Sequence, residues 1–170
     1  GEYNRDRDEA GILEDMYAYA RDASGLDFAA ATSLGERMTD AQWAEVRRAA
    51  ARFTEPGRFV AFSAYEYFGK TVGQDGNRNV YYLDDDQPCF RSTDPATDHP
   101  TKLWAALRGR RAMTVPHHSH NAIIGTRWHT HDPELNRLTE IYSIHGLSER
   151  PNGPRPFFNH ARPDGQSVQD

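Results

Sequence analysis

The sequence predicts an α/β domain built around a mainly parallel sheet. Short apolar or β-branched segments, typical of strands, alternate along the chain with segments whose apolar residues recur at helical spacing. Strands that alternate with helices usually form βα units, in which consecutive strands run parallel. A length of 170 residues suits one domain, and we expect residues 1–170 to form a single domain or a fragment of one.

Three segments are predicted to be helical. Residues 12–23 place apolar side chains at helical spacing and are followed by Gly25, a typical helix stop. Thr39 and Asp40 can both cap a second helix, on which Trp43, Val46, Ala50 and Phe53 share one face. A third helix is predicted over residues 100–108.

Five strands are predicted, and the end of the chain is expected to be irregular. The strands cover residues 26–31, 58–67, 79–83, 112–115 and 138–143. From residue 148 to residue 170, prolines are frequent and apolar periodicity is weak, which predicts a Pro-rich tail without regular structure.

Composition limits the classes of function. The net charge of −5 and the pI near 5.9 argue against a partner that is a nucleic acid or a membrane surface, since those partners usually require a basic face. Leu, Ile, Val and Phe together make up only 28 of the 170 residues, which predicts a thin core or a piece of a larger unit. Cys89 is the single cysteine, so the chain has no internal disulfide and no thiolate metal cluster, and we expect a small, half-buried structural side chain.

Histidines are concentrated in the second half of the chain. In parallel sheets the functional side chains collect where the strands end, and His117, His118 and His145 follow predicted strands. His118 and His120 are spaced so that an extended backbone would place both on one face. Imidazole is a common metal ligand, so this group is expected to contact a metal or a substrate, although a loop histidine that only forms hydrogen bonds is the alternative.

Glu66 ends the most apolar predicted strand. A carboxylate at such a position is costly unless it is paired or bound to a metal. The sequence leaves open whether Glu66 points outward or pairs with an arginine, or whether it bridges metal ions or acts as a general base.

Four stretches, taken together, resemble the PHP (polymerase and histidinol phosphatase) superfamily, and especially its PHP-like domains of unknown function. These stretches are 17–28, 56–60 leading to 65–67, 76–82, and 116–118 together with 140–146.

The PHP resemblance implies a partial or distorted (β/α)7-type barrel that hydrolyses phosphoesters with two or three divalent ions, commonly zinc, manganese or iron. In that interpretation Glu66 and His117 are the catalytic residues, and Glu66, His117, His118 and His145 are the metal ligands. The metals would activate a water molecule and stabilise the anionic transition state. The substrate would be a small molecule or phosphoester, and the candidate substrate-binding residues are Arg78, Asn79 and His120.

The sequence also departs from the PHP motifs. Ser33, Leu34 and Asn77 stand where that superfamily has metal ligands, so these residues should lie beside Glu66 and metal binding should be weak. Three interpretations therefore remain: a metal-dependent hydrolase, a non-catalytic scaffold that serves as a binding or interaction module, and a fragment completed by another chain. Open sheet edges additionally predict self-association.

Overall fold

The centre of the molecule is a four-stranded sheet. The computed structural model describes residues 9–71, 75–150, 154 and 168. The sheet has the order β1-β2-β3-β4, and its strands are β1 (Phe28–Ala30), β2 (Val60–Tyr67), β3 (Arg78–Tyr82) and β4 (Ala112–Pro116).

The sheet is mixed, so the expected mainly parallel, barrel-type fold is wrong. Among the strands that the structure describes, β1 and β2 form the one parallel pair, while the β2–β3 and β3–β4 pairs are antiparallel. In the described part of the chain, no helix lies between β2 and β3, and a short connection between neighbouring strands reverses their direction. The alternation of strand and helix patterns could not reveal that reversal, and the described strands form an open sheet rather than a closed barrel.

The described ranges contain three α-helices beside the sheet: α1 (Glu9–Ala18), α2 (Asp40–Phe53) and α3 (Pro100–Leu107). α1 continues into a π-helical turn, Tyr19–Ala23, and a 3-10 turn, Gly35–Arg37, precedes α2. Thr39 caps α2 as predicted, because its side chain accepts a hydrogen bond from the backbone of Gln42 while the Gln42 side chain accepts one from the backbone of Thr39.

The hydrophobic core lies between the helices and one face of the sheet. Its largest side chains are aromatic and come from both layers: Tyr17, Trp43, Phe53, Tyr65, Tyr67, Tyr82 and Trp104. Several of these side chains form hydrogen bonds through their polar atoms. The hydroxyl of Tyr17, for example, donates to the carbonyl of Phe62, and the indole N–H of Trp43 donates to the carbonyl of Gln87. Aromatic rings thus supply much of the apolar surface that is buried in this core, which has few large aliphatic side chains.

The other face of the sheet, here called the outer face, carries the alternate residues of each strand. Phe28 pairs with Val60, Ala64 pairs with Tyr81, and Tyr81 pairs with Met113, so these side chains share one surface. Phe28 is 63% exposed and Leu26 is 49% exposed. The prediction that residues 26–31 form a buried strand is therefore wrong for Leu26 and Phe28.

The remaining strands form a separate hairpin. β5 (Tyr142–Ser143) pairs with β6 (Gly146–Leu147), and within the described part of the chain the predicted strand over residues 138–143 does not join the main sheet. Of the predicted irregular tail, residues 151–153, 155–167, 169 and 170 lie outside the described residues. No helix in the described ranges has the length and apolar character needed to cross a membrane. Cys89 is buried against the core, and burial raises the pKa of its thiol to about 12.

Candidate functional site

The register of the sheet brings Glu66 and His117 together. Glu66 near the end of β2 is the direct partner of Asn79 on β3, and Asn79 is the partner of Val115 on β4. His117 follows Val115 by two residues, and side chains two apart on an extended strand point to the same face. Glu66, Asn79 and His117 therefore meet at one end of the outer face.

Glu66 is held by bonds from both sides. Its Oε1 lies 3.0 Å from Nε2 of His117 and accepts a hydrogen bond of 2.8 Å from the side chain of Asn77. Its backbone N–H donates to the carbonyl of Ser33 at 2.9 Å, and Leu34 forms an isolated parallel bridge with it. Ser33, Leu34 and Asn77 thus lie beside Glu66, at the positions that the sequence predicted.

The environment keeps Glu66 ionised. Burial alone would raise the pKa of this carboxyl group, but the hydrogen bond and positive charge of His117, the amide of Asn77 and the charge of His118 together lower the pKa below its ordinary value of 4.5. A carboxylate therefore persists at neutral pH in a half-buried position.

A second histidine–glutamate pair adjoins the first. Nδ1 of His118 lies 3.2 Å from Oε1 of Glu140, and the same oxygen accepts the backbone N–H of His118 at 3.2 Å. Burial raises the pKa of Glu140, but the bonds from His118 outweigh that effect and lower the pKa. Position 118 also has a φ of 52°, an uncommon conformation for a residue other than glycine and one that often accompanies functional sites.

The β5–β6 hairpin adds His145 to this group. The hydroxyl of Ser143 lies 3.4 Å from Nδ1 of His118 and accepts the backbone N–H of His145 at 3.1 Å. The ring centroids of His117 and His118 are 4.2 Å apart, and those of His118 and His145 are 4.5 Å apart. Glu66, His117, His118, Glu140 and His145 are called the histidine–glutamate cluster below.

The candidate substrate-binding residues occupy different environments. Asn79 lies beside Glu66 on the outer face. Arg78 lies on the core side of β3, where it is 1% exposed and its guanidinium stacks 5.0 Å from the ring of Trp104, so it does not face the cluster. His120 is buried in the loop that follows β4.

Glu140 and Ser143 also belong to the site, although the sequence patterns assign neither residue a functional role. Both were placed within a predicted strand, whereas the structure uses Glu140 to bind His118 and Ser143 to link His118 with His145. The available signal was the position of Glu140 five residues before a histidine, in the stretch 140–146.

The chemistry of the donors suits zinc, manganese or iron, but their arrangement does not form a ready-made metal centre. Imidazole nitrogens and carboxylate oxygens are ordinary ligands of these ions. Among the side chains that the structure describes, however, no group of three or more His, Cys, Asp or Glu residues is placed to hold an ion. The donors are instead bonded to one another as two histidine–glutamate pairs.

Residues 3–149 match the model of a family described as Protein of unknown function (DUF3604). The chain belongs to this family. The match covers all four strands of the sheet and the whole histidine–glutamate cluster. The assignment to the PHP superfamily is therefore wrong, because the comparisons give DUF3604 and no PHP family. The four stretches that suggested the PHP superfamily are too short to be specific for it.

Proteins similar to this DUF3604 chain occur in chlamydiae. An uncharacterized protein of Chlamydia trachomatis serovar D is 26% identical over 145 residues, which cover 84% of this chain and 23% of that protein. An uncharacterized protein of Chlamydia pneumoniae is 25% identical over 162 residues, or 92% of this chain and 26% of its own length. The chain thus spans about a quarter of these relatives, and no solved structure matches it.

Proposed function

We propose that the histidine–glutamate cluster of this DUF3604 domain is a hydrolytic site for ester or phosphoester bonds. The observation that carries the proposal is the convergence of three imidazoles and two carboxylates from β2, the end of β4, and residues 140–145. Carboxylates that remain ionised beside histidines are typical of sites that move protons. A purely structural role would not require three adjacent histidine rings.

Glu66 is the proposed proton acceptor. Its side chain is 24% exposed whereas that of His117 is 5% exposed, so Glu66 is the member of the pair that meets solvent. Both hydrogen bonds described for its carboxylate go to Oε1, and Oε2 is the oxygen proposed to take a proton from water. His117 supports the negative charge of Glu66 and fixes its orientation.

His118 is the proposed proton donor. The water oxygen forms a bond to the acyl carbon or phosphorus, and the bond to the leaving oxygen breaks as protonated His118 gives its proton to that oxygen. Glu140 holds the ring of His118 in place through its carboxylate oxygen, which lies 3.2 Å from Nδ1. The proton on Glu66 then returns to His118 through water, so the site is restored and one water molecule has been consumed.

A divalent ion remains a proposed cofactor, with Glu66, His117, His118 and His145 as the residues that would hold it. When bound, such an ion would make water a stronger nucleophile by lowering its pKa. Since the described side chains form no three-donor group, we expect weak binding by this chain. Titration calorimetry with Zn²⁺ and Mn²⁺ would measure the affinity for each ion, and tight binding would contradict the expected weak affinity.

The hydrolytic proposal is tested with p-nitrophenyl acetate and p-nitrophenyl phosphate, each with added Mn²⁺, with added Zn²⁺, and with EDTA. Glu66→Gln should lower kcat/KM by about 100-fold or more, the range typical of a lost general base. Glu45→Gln is the matched control, because Glu45 lies on α2 in an ion pair with Arg48. Absence of turnover under all conditions, or equal activity of both variants, would contradict the proposal.

A non-catalytic binding module is the second candidate function. The lack of a three-donor group among the described residues favours it, and so does a large apolar cavity next to the cluster. Binding of a ligand without hydrolysis of either test compound would support this alternative.

A further inference from the structure

The outer face of the sheet contains an open cavity of about 860 Å³. Phe62, Tyr81, Met113 and Val115 line its floor, and they belong to three neighbouring strands. The volume falls within the range of roughly 300–1,000 Å³ that is usual for sites of small-molecule ligands. This cavity is called the outer groove below.

The walls of the outer groove expose large apolar side chains. Leu26, Phe28, Leu83 and Leu138 line the groove and are each about half exposed or more. Several exposed apolar residues that lie next to one another usually mark a binding surface, whereas single exposed ones do not.

Three arginines contribute to the lining of the groove. Arg110, Arg111 and Arg137 line it together with one carboxylate, Glu134. Arg111 pairs with Asp84, and Glu134 pairs with Arg108. Among the described residues neither Arg110 nor Arg137 forms an ion pair. Their guanidinium groups have neutral partners: Arg110 donates to the carbonyl of Ala106 and to the side chain of Gln87, and Arg137 donates from Nε to the carbonyl of Glu134. Each keeps further N–H groups and an uncompensated charge for an anion.

The groove extends along β4 and across the sheet. Arg111 and Val115 both line it, and four residues of extended chain span about 13 Å. Val115 lies nearer the histidine–glutamate cluster, because it pairs with Asn79 beside Glu66.

We propose that the outer groove binds a long-chain fatty acid or a similar anionic amphiphile. The apolar chain would lie over Phe62, Tyr81 and Met113, and the carboxylate would be bound by Arg110 and Arg137. Apolar walls remove the chain from water, and guanidinium groups bind carboxylates through charge-assisted hydrogen bonds. This binding site is separate from the proposed hydrolytic chemistry and does not depend on it.

The test is titration calorimetry of the whole chain with dodecanoate below its micelle concentration, in EDTA, with dodecanol as the neutral probe. We expect saturable binding of dodecanoate that is about tenfold weaker in the double variant Arg110→Gln/Arg137→Gln, since each charged hydrogen bond contributes substantially. The double variant Arg48→Gln/Arg52→Gln on α2 is the control and should change the affinity by less than about twofold. Binding of dodecanol should be the same in both double variants.

The apolar part of the groove is tested by a second matched pair. Phe28→Gln should weaken the binding of both probes, whereas Tyr19→Gln, at a residue that is 68% exposed and lies outside the groove, should not. Glu66→Gln should retain the dodecanoate affinity even where it abolishes hydrolysis, so the two proposals can fail separately.

Three outcomes would overturn the fatty-acid proposal. They are absence of saturable dodecanoate binding, equal weakening in the two arginine double variants, and a dimer in sedimentation velocity that Phe28→Gln dissociates. The last would show that a second copy of the chain covers the groove.

Discussion

Oε1 of Glu66 lies 3.0 Å from Nε2 of His117, although the two residues are 51 positions apart in the sequence. Their contact is a consequence of sheet register, because Glu66 and Val115 are both direct neighbours of Asn79 on the central strand β3. The antiparallel β3 lies between β2 and β4 and therefore brings the ends of both strands to the same edge of the sheet. The same pairing aligns the outer groove with the histidine–glutamate cluster along one face of the sheet.

Glu66 should stabilise the fold at neutral pH and lose that effect in acid. Its folded-state pKa is lowered, so its contribution is present above the ordinary value of 4.5 and disappears as the pH falls through the lower folded value. The difference in unfolding free energy between the natural chain and Glu66→Gln should shrink from about pH 7 to about pH 3. Urea unfolding at several pH values measures it.

The control for this pH series is Glu45→Gln, in an exposed ion pair that should contribute little to stability at any pH. A Glu66→Gln difference that grows in acid would contradict the assignment of a lowered pKa.

Asn77 should act as a positioning residue for Glu66. Its side chain donates a 2.8 Å hydrogen bond to Oε1 of Glu66, and its backbone carbonyl accepts the N–H of His117 at 3.3 Å. Asn77→Ala removes the first bond, which favours the ionised carboxylate, so the pKa of Glu66 should rise. Carbon-detected NMR titration of the carboxyl group measures the shift, and Gln42→Ala on α2 should leave it unchanged. An unchanged pKa in Asn77→Ala would exclude this role.

Leu103 should be a major contributor to stability. It is 0% exposed on α3, and Leu103→Ala should lower the free energy of unfolding by about 2–5 kcal/mol through lost burial and a new cavity. Leu83→Ala makes the same chemical change at a residue that is 53% exposed, and it should lower the free energy of unfolding by about 0.5 kcal/mol. Guanidinium unfolding compares them, and equal losses would mean that the helix α3 does not cover the core as described.

Gly76 should tolerate substitution worse than Gly25, although both have positive φ angles, 69° and 62°. A Cβ at Gly76 would lie 2.9 Å from the Cα of Thr126, whereas a Cβ at Gly25 would meet nothing within 4 Å. Gly25→Ala should therefore cost about 1–2 kcal/mol from backbone conformation alone, and Gly76→Ala should cost more. Thermal unfolding compares the two, and a smaller loss for Gly76→Ala would contradict the tight contact between its turn and residues 125–126.

Local sequence determined most of the elements. The side chain of Thr39 accepts the free backbone N–H of Gln42 in the first turn of α2, so this helix start depends only on nearby residues and follows from the sequence. The β-branched and aromatic segment that forms β2 was predicted for the same reason, because strand preference reflects side chains within the segment. The residues expected after the strands, Glu66 and His117, also followed from local patterns.

Tertiary structure alone decided strand direction, the partners of the site and the exposure of β1. Hydrogen bonds between strands join residues distant in sequence, so the periodicity of apolar residues carries no information on whether β3 returns antiparallel to β2. Glu140 reaches His118 only because the chain after β4 folds back: its backbone N–H donates to the carbonyl of Pro116. Phe28 is an aromatic residue in an apolar segment, so the sequence predicts that it is buried. Its exposure depends on which face of the sheet the helices cover.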